Sequence, residues 1–196
     1  MQESIRTFIA IELPPPVQTN IAATIGGLKD RHPVSVRWVA AQNVHLTLKF
    51  LGIARQTELE QVREMLLAEA DRTRTFKIEV GRIGAFPNLR RPRVIWIGVQ
   101  APPPLFDLQK RIEHACRRLH LLSEERPFSP HLTVGRVASN INPTESERLT
   151  QTLMEFRSSS NLGVVQVERI ALIQSELLPR GAVYTPLFHA PLQSTD

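Results

Sequence analysis

Short runs in which hydrophobic and polar residues alternate are followed by longer runs with helical spacing, and this succession organises the chain. Residues 5–13 (IRTFIAIEL) are rich in β-branched and aromatic side chains and predict a strand. Pro14-Pro15-Pro16 stops it. Val17, Ile21, Ile25 and Leu28 then fall three or four residues apart, so a helix is predicted to begin at the prolines, which suit a first helical turn. Residues 36–39 and 44–51 predict strands across a polar turn. Leu59, Val62, Leu66 and Ala70 predict a second helix. Residues 76–83 and 94–99 predict strands around Pro87-Asn88.

The opening pattern then recurs. The strand at 94–99 is stopped by Pro102-Pro103-Pro104, and Leu105, Leu108, Ile112, Cys116 and Leu119 follow at helical spacing. The two proline triplets are offset by 88 residues. The tetrapeptides His45-Leu46-Thr47-Leu48 and His131-Leu132-Thr133-Val134 are offset by 86. Two landmarks at nearly one offset imply an internal duplication. Leu149, Leu153 and Phe156 predict a further helix; residues 162–174 and 183–188 predict strands joined through a turn containing Gly181. No low-complexity linker divides the chain. Residues 1–196 are therefore expected to form one domain of two interleaved lobes, with the motifs at 45–48 and 131–134 in equivalent places.

Side chains alternate across a strand. His45, Thr47 and Lys49 are thus expected on one face of their strand, with Leu46, Leu48 and Phe50 behind; His131 and Thr133 repeat the design. An ordinary half-buried strand explains one copy, but two copies in a repeated setting point to a shared cleft. Imidazole titrates near 6.5, so one histidine can act as base while another acts as acid. That pair suffices to open a five-membered cyclic phosphodiester, and threonine hydroxyls can hydrogen-bond the non-bridging oxygens where charge builds.

The formal charge of +5, with all but Lys29, Lys49, Lys77 and Lys110 of the 24 basic residues being arginine, leans toward anionic ligands. Cys116 is the only cysteine, which excludes an internal disulfide and a cysteine-rich zinc site; its helical position marks it as a core residue. No H-E-x-x-H pattern joins His32, His114, His120 and His189, and no Walker-type loop is present, so neither a metal nor ATP is implied. No apolar run reaches the roughly 20 residues of a membrane span, and no signal peptide precedes the first strand, so a cytoplasmic protein is expected.

With these motifs in place, the chain resembles the 2H phosphoesterase superfamily, and within it the bacterial and archaeal RNA 2′,3′-cyclic phosphodiesterases, formerly called 2′-5′ RNA ligases. The blocks RTFIAIELP, NVHLTLKFLG, RPRVIWIGV, RPFSPHLTVGR and SELLPRGAVY carry the resemblance from Arg6 to Tyr184. It implies an α+β fold of two pseudo-twofold-related lobes, each an antiparallel sheet with helices on its outer face, and a cleft between the sheets. It implies hydrolysis of RNA 2′,3′-cyclic phosphate ends, or of a cyclic nucleotide, to a 2′-phosphate, without a cofactor; a monomer is expected because the cleft needs both halves of one chain. It assigns His45 as proton donor, His131 as proton acceptor, and Thr47 and Thr133 to the phosphate. Two alternatives stand beside it: ATP-independent 2′-5′ ligation of tRNA halves, and a nucleotide-binding module with little turnover. Arg136 completes an H-x-T-x-x-R pattern resembling the family's second motif. Plain alternation puts it behind the strand, whereas a bulge at Gly135 would bring it to the phosphate. Lys49 has the parity of the cleft face and reads either as added positive charge or as a rim lysine. Phe8 reads either as a stacking surface for a nucleobase or as core.

Overall fold

A computed structural model of the protein describes residues 4–32, 35–122, 126–156, 161–179 and 181–194. In chain order the elements are β1 (Ser4–Glu12), α1 (Pro15–Arg31), β2 (Val36–Trp38), β3 (His45–Arg55), α2 (Gln56–Asp71), β4 (Phe76–Phe86), β5 (Val94–Gln100), α3 (Pro103–Arg118), β6 (His131–Val137), α4 (Pro143–Phe156), β7 (Asn161–Val167), β8 (Arg169–Leu178) and β9 (Gly181–Pro191), with a 3-10 turn at Ala41–Asn43. The α+β class expected from the sequence holds. Both proline triplets do what their position suggests: Pro14 and Pro102 are extended N-caps, and the prolines after them occupy the first helical positions, where a missing N–H costs nothing.

The strands form one sheet in the order β7-β4-β5-β6-β3-β1-β8-β9, with β2 on the remaining edge of β6. Every pairing between named strands is antiparallel. The two sheets of the expected lobes are thus two halves of one sheet. They meet at a narrow seam, the single pair Leu46↔Leu132 between β3 and β6. On either side the order repeats: the His-Leu-Thr strand is innermost, and next to it lies the strand that runs into a proline-started helix. The helices cross over. α1, which follows β1, packs on β7 and β2 in the other half; α3, which follows β5, packs on β3 and α2. α2 covers β3, β8 and β9, and α4 covers β4.

The core lies between the sheet and these helices. Ile9, Ile11, Leu46, Leu48, Ile95, Ile97, Leu132 and Val134 of the sheet meet Ile21, Leu28, Leu66, Leu105 and Ile112 of the helices. Each such side chain contributes about 1.5–3 kcal/mol by leaving water, which is why the back of the sheet is apolar and the polar residues of the two motifs turn the other way. Cys116 lies in this core, and burial pushes its thiol up to about 11, so it behaves as a small apolar residue.

One expected strand is two. Residues 162–174 divide at Glu168 into β7, which pairs with β4, and β8, which pairs with β1. No glycine or proline marks the break, and both pieces are apolar enough to read as one run. The consequence is large: a single residue links an edge strand of one half to an inner strand of the other. The sheet must therefore curl until the end of β7 meets the start of β8.

Candidate active site

The seam positions the site. With Leu46 opposite Leu132 on antiparallel strands, His45 is carried toward Thr133 and Thr47 toward His131. The two histidines are then diagonal neighbours, about 7–8 Å apart at Cα, with a threonine beside each. Their leucine neighbours are fully buried behind, so both histidines and both threonines face away from the helices.

Each histidine is held by the same device. His45 Nδ1 lies 2.9 Å from the Asn43 carbonyl oxygen, and His131 Nδ1 lies 2.7 Å from that of Ser129. A carbonyl only accepts, so Nδ1 carries a proton in both rings. Nε2 is left in each ring to take or give the working proton. Aromatic neighbours set the ring planes. Phe8 stacks on His45 at 4.5 Å between centroids and 25° between planes, and Tyr184 meets it edge-on at 5.1 Å. Phe86 meets His131 edge-on at 5.0 Å. Burial is the main influence on His45 and holds its pKa below the ordinary 6.5; the Asn43 carbonyl and the Glu12 carboxylate pull it upward more weakly.

A β-bulge after each motif decides where the next side chains point. On β6, Trp96 pairs with Thr133 and Ile95 with Gly135, so Val134 is an extra residue. The parity changes there, and Arg136 comes opposite Val94 on the face of His131 and Thr133, exposed. On β3, Ala10 pairs with Thr47 and Ile9 with Lys49, so Leu48 is the equivalent extra residue. This corrects the expectation for Lys49. Its side chain turns to the back of the sheet, where it is 1% exposed and its Nζ lies 2.7 Å from Glu113 Oε2 on α3. Buried ammonium groups demand such a partner. Phe50 takes the front instead, opposite Phe8 and 45% exposed. Of the two readings of Phe8, the buried one fits its surroundings: at 3% exposure it packs with Ala10, Ala171 and Ile173 and lays its ring against His45.

Sequence reasoning missed Phe50 because no glycine announces the bulge at Leu48. Asn43 and Ser129 act through their carbonyls, which leave no mark on residue identity; only their common position two residues before each histidine could have suggested them. Glu12 lies opposite His45 in the register and is held by His189 at 2.6 Å and Arg169 at 3.7 Å. The corresponding residue opposite His131 is Gly98.

Beside His131 an open groove of about 720 Å³ runs over β4 and β5, lined among others by Ser129, Pro130, Gly98, Trp96, Gly84 and Arg82. A Cβ on Gly84 would lie 2.2 Å from the indole ring of Trp96, so glycine there lets the ring lie against the strand. Among the described residues, no three His, Cys, Asp or Glu side chains are grouped so as to hold a metal ion, and no helix is long and apolar enough to cross a membrane.

A two-half antiparallel sheet with one His-x-Thr strand from each half at its seam defines the 2H phosphoesterase type of protein. The sequence model of the 2′-5′ RNA ligase superfamily matches residues 17–177, and the chain belongs to that family. An RNA 2′,3′-cyclic phosphodiesterase of Archaeoglobus fulgidus is 32% identical over 93% of this chain and 98% of its own. One from Methanothermobacter thermautotrophicus is 30% identical over 93% and 96%. The structure of E. coli LigT complexed with 3′-AMP superposes with a TM-score of 0.75 at 27% identity, covering 97% of this chain and 99% of that one.

Proposed function

We propose that this protein is an RNA 2′,3′-cyclic phosphodiesterase that opens the cyclic phosphate at an RNA 3′ end to leave a 2′-phosphate. One observation carries the reading: two imidazoles from two halves of the sheet are fixed in the same tautomer by the same backbone contact. Names borne by the relatives supply the substrate.

His131 Nε2 takes a proton from water as the water attacks phosphorus. The bond from phosphorus to the ribose 3′ oxygen breaks, and His45 Nε2 protonates that oxygen. In-line displacement separates the entering and leaving oxygens, so the ribose lies toward His45 and the nucleophile enters from His131. Thr47 and Thr133 stabilise the non-bridging oxygens, and Arg136, on the same face of β6, adds positive charge to the His45 end of the phosphate site. Protein side chains supply both proton transfers. The halves descend from a duplication and form a single domain, and one chain completes the site, which fits a cytoplasmic monomer.

Product analysis on a short RNA ending in a 2′,3′-cyclic phosphate tests the reading. A 2′-phosphate is expected; a 3′-phosphate would mean that the other ribose oxygen leaves. The groove supports a second reading, 2′-5′ joining. A nucleophilic water needs about 30 Å³. The roughly 720 Å³ beside His131 suits a small-molecule ligand and would admit a nucleoside bearing a 5′-hydroxyl. Joined product that rises and saturates with the concentration of 5′-hydroxyl RNA is expected on that reading; hydrolysis alone at every concentration removes it.

A further inference from the structure

We propose that Arg37 and Arg136 form a second anion site, which takes the phosphodiester on the 5′ side of the terminal nucleotide and so selects a polynucleotide end over a mononucleotide. The proposal rests on the assignment of the leaving oxygen to His45 given under Proposed function.

The two arginines are brought together by the backbone. β2 lies on β6 in the register Val36↔Val137, Arg37↔Arg136, Trp38↔Gly135, so the two cationic residues stand directly opposite one another. Both are exposed, and neither forms an ion pair with a carboxylate among the described residues. Like charges directly opposite in a strand pair work against the pairing. What holds it is packing on the reverse side. A Cβ on Gly135 would lie 2.8 Å from Val36 and 3.0 Å from Trp38, so glycine at 135 lets these two side chains of β2 pack where they do. In the other half that position is Lys49, whose side chain is committed to Glu113. Among the described residues, no strand equivalent to β2 pairs with β3 there. The cost of opposing two guanidinium groups is offset when an anion lies between them, and the planar arginine fork matches phosphate oxygens.

The place of the pair names the anion. The antiparallel seam puts Thr133 beside His45, and Arg136 lies beyond it, past the bulge at Val134, by two strand steps, about 7 Å. The arginines therefore stand outside the His45 end of the site. The ribose that carries the leaving 3′ oxygen lies at that end. An RNA chain continues from this ribose through its 5′ carbon, so the next phosphate falls toward Arg136 and Arg37. A nucleoside 2′,3′-cyclic phosphate has no such group.

The test is a ratio. The kcat/KM of ApA ending in a 2′,3′-cyclic phosphate is divided by that of adenosine 2′,3′-cyclic phosphate, for the wild type and for Arg37→Gln, Arg37→Ala and Arg37→Lys. Hydrogen bonds to charged groups are worth about 1.5–3 kcal/mol, so the wild-type ratio is expected to be at least about tenfold. Arg37→Gln and Arg37→Ala should bring it close to one, and Arg37→Lys should keep part of it. A methylphosphonate in place of the internal diester should reduce the dinucleotide to the mononucleotide's rate on the wild type. The ratio is read from active molecules only, so partial loss of folded protein does not disturb it. A ratio unchanged in Arg37→Gln, or a methylphosphonate as good as the diester, overturns the proposal while the hydrolysis itself stands. Hydrolysis of neither substrate removes the underlying reading and this site with it.

Discussion

The two halves of the sheet agree up to the bulge and part immediately after it. His45-Leu46-Thr47 and His131-Leu132-Thr133 occupy matching places, each histidine is fixed by the carbonyl two residues earlier, and each strand has one extra residue after its threonine. Beyond that residue one half has Lys49-Phe50 and the other Gly135-Arg136. The core-facing member changes from a lysine buried against Glu113 to a glycine on which β2 docks. The front-facing member changes from an aromatic ring to a guanidinium. The opposing strand differs as well: Glu12 stands across from His45, and Gly98 across from His131. Symmetry supplies two interchangeable acid–base groups; these differences are what can make one of them the acid and the other the base.

The largest effect should come from removing what the halves share. His45→Ala or His131→Ala is expected to lower kcat about 10²–10⁴-fold, and the double variant should fall little further than either single one, since the two act as a unit. Steady-state rates on a cyclic-phosphate dinucleotide check this. Next comes the lysine that the bulge turned inward. Glu113→Ala leaves the Lys49 ammonium buried without its carboxylate and should cost about 3–5 kcal/mol in urea unfolding, with little change in KM. A large rise in KM with unchanged stability would return Lys49 to the cleft. Phe8→Leu removes the ring stacked on His45, worth about 0.5–1.5 kcal/mol beyond its packing, and is expected to lower kcat more than it raises KM. A purely KM effect would make Phe8 a substrate contact after all.

The smallest effect concerns pH. Burial holds His45 below 6.5, so in the free enzyme the acid loses its proton below that value, and the high-pH limb of kcat/KM should lie there. Glu12 pulls the other way, so Glu12→Gln should move this limb further down. An upward move would contradict the role of that carboxylate. The same lowered pKa works on stability. The unfolded chain binds the His45 proton near 6.5 and the native chain only at lower pH, so native stability is lost as pH falls from 6.5 toward the folded value. His32, also lowered by burial, acts in the same direction. His45→Gln should remove its share of that slope in unfolding measured between pH 5 and 7.

Much of this was legible in the sequence, for a physical reason. Strand alternation and helical spacing are local, so the elements, the repeated strand–proline–helix units and the shared face of His and Thr could be read from residue order alone. Bulges are not local in that sense. A bulge is defined by the partner strand's register, and neither Leu48 nor Val134 differs in type from an ordinary strand residue. Gly135 hinted at one for Arg136, and the hint was one residue late. Nothing in the sequence marks the one beside Lys49, so plain alternation puts Lys49 and Phe50 on each other's faces. The break at Glu168 was invisible for a related reason: both sides of it are strand, and only the curl of the sheet decides that they belong to different halves. The Arg37–Arg136 contact joins residues 99 positions apart, next to a glycine at 135 that lets Val36 and Trp38 pack where they do.

Catalysis as proposed turns on His45 giving its proton to the leaving 3′ oxygen while His131 takes one from the nucleophile. A dinucleotide whose cyclic phosphate carries sulfur in place of the bridging 3′ oxygen measures this directly, because a thiolate leaves without an acid. His45→Ala should recover most of its lost rate on that substrate, and His131→Ala should not. Recovery by His131→Ala instead would reverse the roles of the two halves, and recovery by neither would contradict proton donation to that oxygen altogether.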